Sequence, residues 1–276
     1  MPITTRSFDG ELAPPYLVQR IINQALTGAS FTQSLTPMPT STGKVVFPLA
    51  SPTGAEWLNE MQPYPLASLN DDTYTVAVAK LGTIVLLSEE SVYDTAFPIA
   101  DQVANLLRDT AMSKLDTDLL NGDGQGTTPR GVLGAATTVP GPSWMAGIGT
   151  AVGELGAQGA TGTRVAFNPA DYATENARVS PDGRPIWGPD GVAGQFGLTP
   201  VMVPSMPTGR ALVYDHTRIY YIQRESEMRF LRECYAEQGA IGIRATMRAA
   251  IAAPDAAKSM RLVTLTTMQT TTAKAN

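Results

Sequence analysis

Catalysis needs side chains that exchange protons, attack carbonyls or hold metals, and this sequence offers few in any useful spacing. His216 is the only histidine, so a Ser-His-Asp or Cys-His arrangement would have to use it. It stands in Tyr214-Asp215-His216-Thr217, at a strand end in a turn-like context, and reads as a loop histidine. Cys234 is the only cysteine, which excludes an internal disulfide, and no metal-ligand spacing exists. It alternates with Met228 and Phe230, the pattern of a small buried hydrophobe on a strand. The loop Asn121-Gly122-Asp123-Gly124-Gln125-Gly126 resembles a phosphate or Ca²⁺ loop only superficially. A phosphate loop ends in Gly-Lys-Ser/Thr, because the lysine and hydroxyl hold phosphate and Mg²⁺; this one ends Thr127-Thr128-Pro129-Arg130. An EF-type loop needs a glutamate at its last position, and none is there. Helix terminator plus turn is the reading that remains, with Gly122 as the left-handed stop. Glu89 and Glu90 are adjacent, diverge on a helix, and suit the first turn as partners of the backbone N–H groups. No catalytic, cofactor or metal-binding residue is assigned.

Two groups of residues point to surface contact instead. Arg224, Glu225, Glu227, Arg229, Arg232 and Glu233 interleave both signs along a strand. That is either a solvated face or an edge whose alternating charges fix the register of a neighbour. Trp57, Met61 and Tyr64 are scattered through a Pro- and Gly-containing stretch, residues 51–72, that makes a long tip.

The elements that would position these residues hang from Pro98–Leu120. Ile99, Val103, Leu106, Leu107, Ala111, Leu115 and Leu119 recur at three- and four-residue steps and predict one long amphipathic helix. Pro98 suits its first position, and its length would be roughly 34 Å. Upstream, residues 1–12 read as an extended arm, Tyr16–Leu26 as a short helix, and Ala29–Gly43 as loop. Lys44–Leu49 predicts a strand that Pro48 confines to an edge, and Thr73–Leu87 predicts its returning partner. The result is a long two-stranded ribbon with an aromatic tip. Such a ribbon is marginal alone in water, so a neighbouring molecule is its simplest support; the alternative is a hairpin folded onto its own sheet. Downstream, Ile148–Leu155 reads as a weak helix, Arg164–Phe167 as a strand, and Asn168-Pro169 as the cap of a helix reaching about Val179. Ser180–Gly183 is a tight turn, and Pro200–Val203 and Ala211–Tyr214 are strands. Ile219–Gln223, Met228–Tyr235, Ile241–Ala253 and Met260–Leu265 read as strands closing a sheet for the long helix. The architecture is α+β.

Composition sets outer bounds. The chain has 276 residues, 43% of them apolar, enough for one or two buried cores. Only 16% are charged, and an Ala- and Thr-rich surface is cheap to desolvate against a neighbour. The net charge of −5 excludes a basic nucleic-acid-reading face but not a wall that merely surrounds nucleic acid. No signal peptide or bilayer-spanning run is legible, so a soluble protein made in a reducing compartment is expected.

The ordered segments LSEESVYDTAFPIADQVANLL, DTDLLNGDGQGTTPRGVL, FNPADY, FGLTPVMVPSMP, YDHTRIYYIQR and AAIAAPDA are similar to the major capsid protein of tailed double-stranded-DNA phages, with the Hong Kong 97-type fold. The likeness covers about residues 44–265. It implies an N-terminal arm (1–43), an extended E-loop (44–87), a P domain made of 88–135 with the spine helix plus 219–265, an A domain (136–218) and a C-terminal tail (266–276). It implies a structural protein, not an enzyme, that self-assembles as hexamers and pentamers into an icosahedral head around double-stranded DNA. That DNA would be held without sequence-specific binding, in a virion assembled in the bacterial host cytoplasm. Trp57, Met61, Tyr64, Arg224, Glu227, Arg229, Arg232 and Glu233 become the expected subunit-interface residues. The partners implied are sister copies and separate portal, scaffolding and cement proteins; no membrane is involved.

Some relatives carry a scaffolding segment of about a hundred residues that is removed after assembly; here the expectation is a separate scaffold or none. Some cross-link an E-loop lysine to a neighbour's asparagine. The only lysines here are Lys44, Lys80, Lys114, Lys258 and Lys274, and the tip has none, so no covalent mesh is expected. The same-fold alternative is an encapsulin-type shell around an enzyme cargo. The alternative of another class, a hydrolase or nucleotide-binding enzyme, runs against the motif failures above.

Overall fold

A computed structural model describes residues 31–49, 57–64, 72–88, 99–188, 190–231 and 233–266. The expected helix at 16–26, the cap at Ser88–Ser91 and the tail lie wholly or largely outside them. Elements are numbered in chain order. The strands are β1 (Thr36–Pro39), β2 (Lys44–Pro48), β3 (Thr73–Ala77), β4 (Ala79–Ser88), β5 (Thr137–Gly141), β6 (Arg164–Phe167), β7 (Thr199–Met202), β8 (Arg210–Tyr214), β9 (Tyr220–Leu231), β10 (Ala240–Ala252) and β11 (Met260–Leu265). The helices are α1 (Ile99–Asn121), α2 (Trp144–Ala157), α3 (Pro169–Asn176), α4 (Gly191–Gly194) and α5 (Ala256–Ser259). The chain divides into two units, one holding Lys80–Leu115 and Glu225–Arg248, the other Ser30–Ala79, Asp116–Arg224 and Ala249–Asn276.

The expected spine is α1, 23 residues long. Leu107, Leu115, Leu119 and Leu120 are buried, whereas Leu106 is 66% exposed and Asp116 is buried. The stripe is therefore narrower than its spacing implied, and a carboxylate has entered it. The end of α1 corrects a second expectation. Gly122 is not among the glycines with positive φ. It matters because a Cβ there would collide with the carbonyl oxygens of Pro129 and Asp118. The glycine loop folds back onto the helix end, where the amides of Gly131, Val132 and Leu133 donate to the carbonyls of Gly122, Leu119 and Leu120 at 2.8, 3.0 and 3.0 Å. Carbonyls that a helix leaves orphaned are thereby satisfied by the loop itself.

In the first unit β10 runs between β9 and β4. Ile241, Ile243 and Met247 of β10 are buried, as their alternation implied. The expected strand Met228–Tyr235 stops at Leu231, and a 3₁₀ turn takes Glu233–Gln238. That turn brings the Tyr235 ring over Gly242, where a Cβ would stand 2.8 Å from it. It also places Cys234 in solvent, which corrects the buried-hydrophobe reading: the alternation ended before the cysteine.

The second unit holds a five-stranded sheet in the order β5-β11-β8-β6-β7. β11 lies parallel to β5 and antiparallel to β8, so Met260–Leu265 belongs to this sheet and not to the one with β10. Residues 134–147 supply β5 and the start of α2. Ser143 caps α2 by accepting from the Ala146 amide at 3.3 Å. Trp144, Ile148, Ala151 and Leu155 of α2 bury against Val165, Phe167, Val213 and Val263 of the sheet. Asn168 caps α3 through the Ala170 amide at 3.0 Å, as expected, but the helix ends at Asn176. The Ser180–Gly183 turn forms, with Gly183 donating to the Ser180 carbonyl at 2.8 Å and taking φ +76°.

Candidate functional site: an assembly surface

Three sets of residues make up the candidate surface, each placed by local chain chemistry. The first is the ribbon. β2 and β3 pair antiparallel from Lys44↔Ala77 to Pro48↔Thr73. Val78 then breaks the returning strand, so the ribbon is five residues long on each side. Alternation sends Val45, Phe47, Tyr74 and Val76 to one face, which covers Ile222, Ala250 and Ala252 of the same unit. Phe47 stacks on Tyr220 with centroids 5.4 Å apart. The base of the ribbon is thus supported by its own chain. Of the two expected supports, a neighbour or the chain's own sheet, the second holds for the base: alternating apolar residues on both strands meet a complementary sheet face at home. The other face, with Val46 57% exposed, points to solvent.

Between β2 and β3 lies the tip. A turn closes where the Gln62 amide donates to the Asn59 carbonyl at 3.1 Å, and the Gln62 side chain accepts from the Asn59 amide at 3.3 Å. Met61 takes φ +68°, an uncommon conformation for a non-glycine residue. Trp57, Met61 and Tyr64 are 105%, 100% and 87% exposed. Large apolar groups held wholly in water are the mark of a contact surface.

The second set is the stretch 31–39, where the sequence pattern predicts loop. Phe31 and Leu35 are buried, and Thr32–Ser34 makes one 3₁₀ turn. The Phe31 ring meets the edge of Tyr214 at 5.7 Å. Ser34 Oγ donates to the Phe31 carbonyl at 2.6 Å and shares a hydrogen bond with the Tyr214 hydroxyl. Burial pushes the Tyr214 phenol up to about 12, against the smaller opposing effects of the Ser34 bond and the Arg164 charge. β1 then runs parallel to β9, Thr36↔Tyr220 to Pro39↔Gln223. Nearby, Tyr221 is buried; desolvation raises its pKa most, and the negative charge of Asp116 raises it further. The signal for this anchor was present in sequence as Phe31 and Leu35 four residues apart, but a Ser- and Thr-rich flank disguised it.

The third set is the charged strand. Arg229 Nε pairs with Glu227 two residues away on the same face of β9. Both are partly or fully exposed, so the pair contributes little to stability. Arg224 lies beside Gly43. Arg232 falls outside the described residues, as does the side chain of Glu233. The tip and the charged strand fall in separate stretches of chain. His216 sits in the turn after β8, its Nδ1 2.8 Å from Thr163 Oγ1 and its carbonyl accepting from Thr36 Oγ1 at 2.8 Å. Among the described residues no group of acidic, histidine or cysteine side chains could hold a metal ion. No helix among them is long and apolar enough to cross a membrane.

A model of the phage capsid family matches residues 9–262. The chain belongs to the phage capsid family. Solved structures share its fold at low identity. The capsid of a native GTA particle is 17% identical, with 96% of this chain and 95% of that one covered and a TM-score of 0.69. The structure from Microbacterium phage Oxtober96 is 17% identical over 96% of both chains, with a TM-score of 0.72. That from Mycobacterium phage Adephagia is 16% identical over 87% and 90%, also at 0.72. No curated protein matches the sequence. The protein is a structural major capsid protein of the α+β capsid fold, and its place is the virion capsid. For this capsid subunit the encapsulin alternative is not favoured.

Proposed function

We propose that this capsid protein assembles as hexamers and pentamers into an icosahedral phage head that encloses double-stranded DNA. The observation that carries the reading is the tip, where Trp57, Met61 and Tyr64 stand fully in solvent. An aromatic side chain covers about 150–250 Å² when buried. At about 25 cal/mol per Å² each would contribute several kcal/mol before association costs. Summed over a shell, such contacts suffice without covalent help.

In this reading residues 1–43 are the arm, 44–87 the E-loop and 136–218 the A domain. Residues 88–135 and 219–265 form the P domain, and 266–276 the tail. The tip docks on a sister copy. Arg224, Glu227, Arg229, Arg232 and Glu233 set register between subunits, and the subunit works as a wall, not an enzyme. Portal, scaffolding and cement proteins are separate chains, and assembly takes place in the host cytoplasm. The acidic balance of −5 suits a container filled by a motor rather than by attraction to DNA.

Sedimentation and electron microscopy of the expressed protein test this. Closed shells of megadalton mass are expected. A discrete small oligomer that never closes would reject the proposal. Nuclease-protected DNA in native particles is the expected content; a co-purifying enzyme in its place would favour a cargo compartment.

A further inference from the structure

Among the described residues six strands, β1, β2, β3, β4, β5 and β7, lie at the ends of their sheets. β1, β2, β5 and β7 contain proline, whereas the end strands β3 and β4 and the interior strands β6, β8, β9, β10 and β11 contain none. The hydrogen bonds show which way each proline's nitrogen faces. In β1, the amides of Thr36 and Thr40 donate to Ile219 and Gln223 of the β9 side at 3.3 and 2.9 Å. The intervening odd residues, Pro37 and Pro39, therefore face away from β9. In β2, Val78 donates to the Gly43 carbonyl at 3.0 Å and Leu49 to that of Asp72 at 2.8 Å. Odd residues face β3, and Pro48 faces out. In β5, Thr266 donates to the Gly141 carbonyl at 3.0 Å, so Pro140 faces out. In β7, the amides of Thr199 and Val203 donate to Thr163 and Phe167 at 3.1 and 2.8 Å, so Pro200 faces out.

We propose that Pro37, Pro39, Pro48, Pro140 and Pro200 are edge plugs: they strip amide donors from the outward rows of β1, β2, β5 and β7, so that copies of this chain do not join by extending one another's sheets along those four edges. An unblocked edge is a template for strand pairing with any other chain, and proline has no N–H to offer. β1 keeps no outward donor between Thr36 and Pro39, and the outward rows of the other three strands are interrupted. The purpose rests on the shell reading. Hundreds of copies meeting at high local concentration must associate through reversible side-chain contacts, and sheet extension would trap them in open, non-closing chains.

The experiment restores the donors. A five-site variant carries P37T, P39T, P48T, P140T and P200T; a companion carries lysine at the same five positions. Both regain the amides, but lysine blunts an edge by charge. A control carries P181T in the exposed turn. Purified subunits are incubated at assembly concentration, and sedimenting aggregate that binds a cross-β dye is scored, whether or not shells form. The threonine variant is expected to aggregate, each restored donor strengthening a strand-to-strand contact about fivefold, the worth of one net hydrogen bond. The lysine variant and the control are expected to match the parent. Equal behaviour of the threonine and lysine variants, whether both stay dispersed or both misfold, overturns the proposal, because the prolines then serve backbone rigidity alone. A parent that stays soluble yet never closes shells rejects the shell reading and leaves this one standing.

Discussion

Gly131 and Tyr214 show how single residues fix the capsid subunit's geometry. A Cβ on Gly131 would lie 2.5 Å from the Gly122 amide and collide with the Leu120 carbonyl. Gly131→Ala is therefore expected to lower stability by about 2–3 kcal/mol, the cost of forced overpacking. Gly126→Ala is expected to cost only about 1 kcal/mol, because that residue has φ +59° but open space around it. Urea unfolding of the two variants measures the difference. Tyr214 makes a prediction in pH. Its folded-state pKa of about 12 lies above the ordinary tyrosine value of 10.0, so the unfolded chain loses this proton first. Stability is unaffected below about pH 10 and falls as pH rises toward about 12. Tyr221, also raised, adds a second proton to the same slope. Tyr214→Phe should therefore flatten the alkaline limb of a pH–stability curve without abolishing it. Neither tyrosine's burial was legible in sequence, since an isolated Tyr reads alike on a face or in a core. Gly122 was legible as a stop but for the wrong reason: spacing reveals that a glycine is needed, not whether φ or close approach needs it.

At the scale of elements, long regular patterns read well and short ones did not. α1 was visible because a 3.6-residue pattern over six turns cannot be produced by loop. β10 was visible because apolar residues alternate with Gly242, Arg244, Thr246 and Arg248 from Ile241 to Ala249. β1 was not, since four residues with two prolines carry no period. α2 was read short because Trp144-Met145-Ala146-Gly147 looks like loop until Ser143 is seen capping it. The ribbon was found, but not which of its two supports holds, as sequence does not say which face a face will meet. The tip makes the assembly prediction. Trp57→Ala should leave subunit unfolding unchanged, because the side chain is 105% exposed. It should raise the critical concentration for assembly about thirtyfold or more, the effect of a hot-spot loss near 2 kcal/mol, read by light scattering. With no lysine in residues 51–72, dissolved shells are expected to run as a single monomer band in denaturing electrophoresis. A ladder of linked subunits would contradict the non-covalent lock.

At the scale of the whole molecule, the strand order of the second unit was the part least open to sequence. Sheet partners such as β5 and β11 are separated by more than half of that unit's chain, and period-2 patterning is silent about partners. β11 sits between β5 and β8, with Val263 against Trp144 and Phe167 in the core. A chain cut after Ser259 should consequently lose its cooperative thermal transition, followed by near-ultraviolet circular dichroism. The same arrangement has a temporal meaning. Ribosomes deliver β5 well before β11, by roughly ten seconds at bacterial elongation speeds. Until the codons of β11 are read, the lobe lacks a strand from the middle of its sheet. A polypeptide broken off early can never finish folding, so translation itself screens what the growing head is offered.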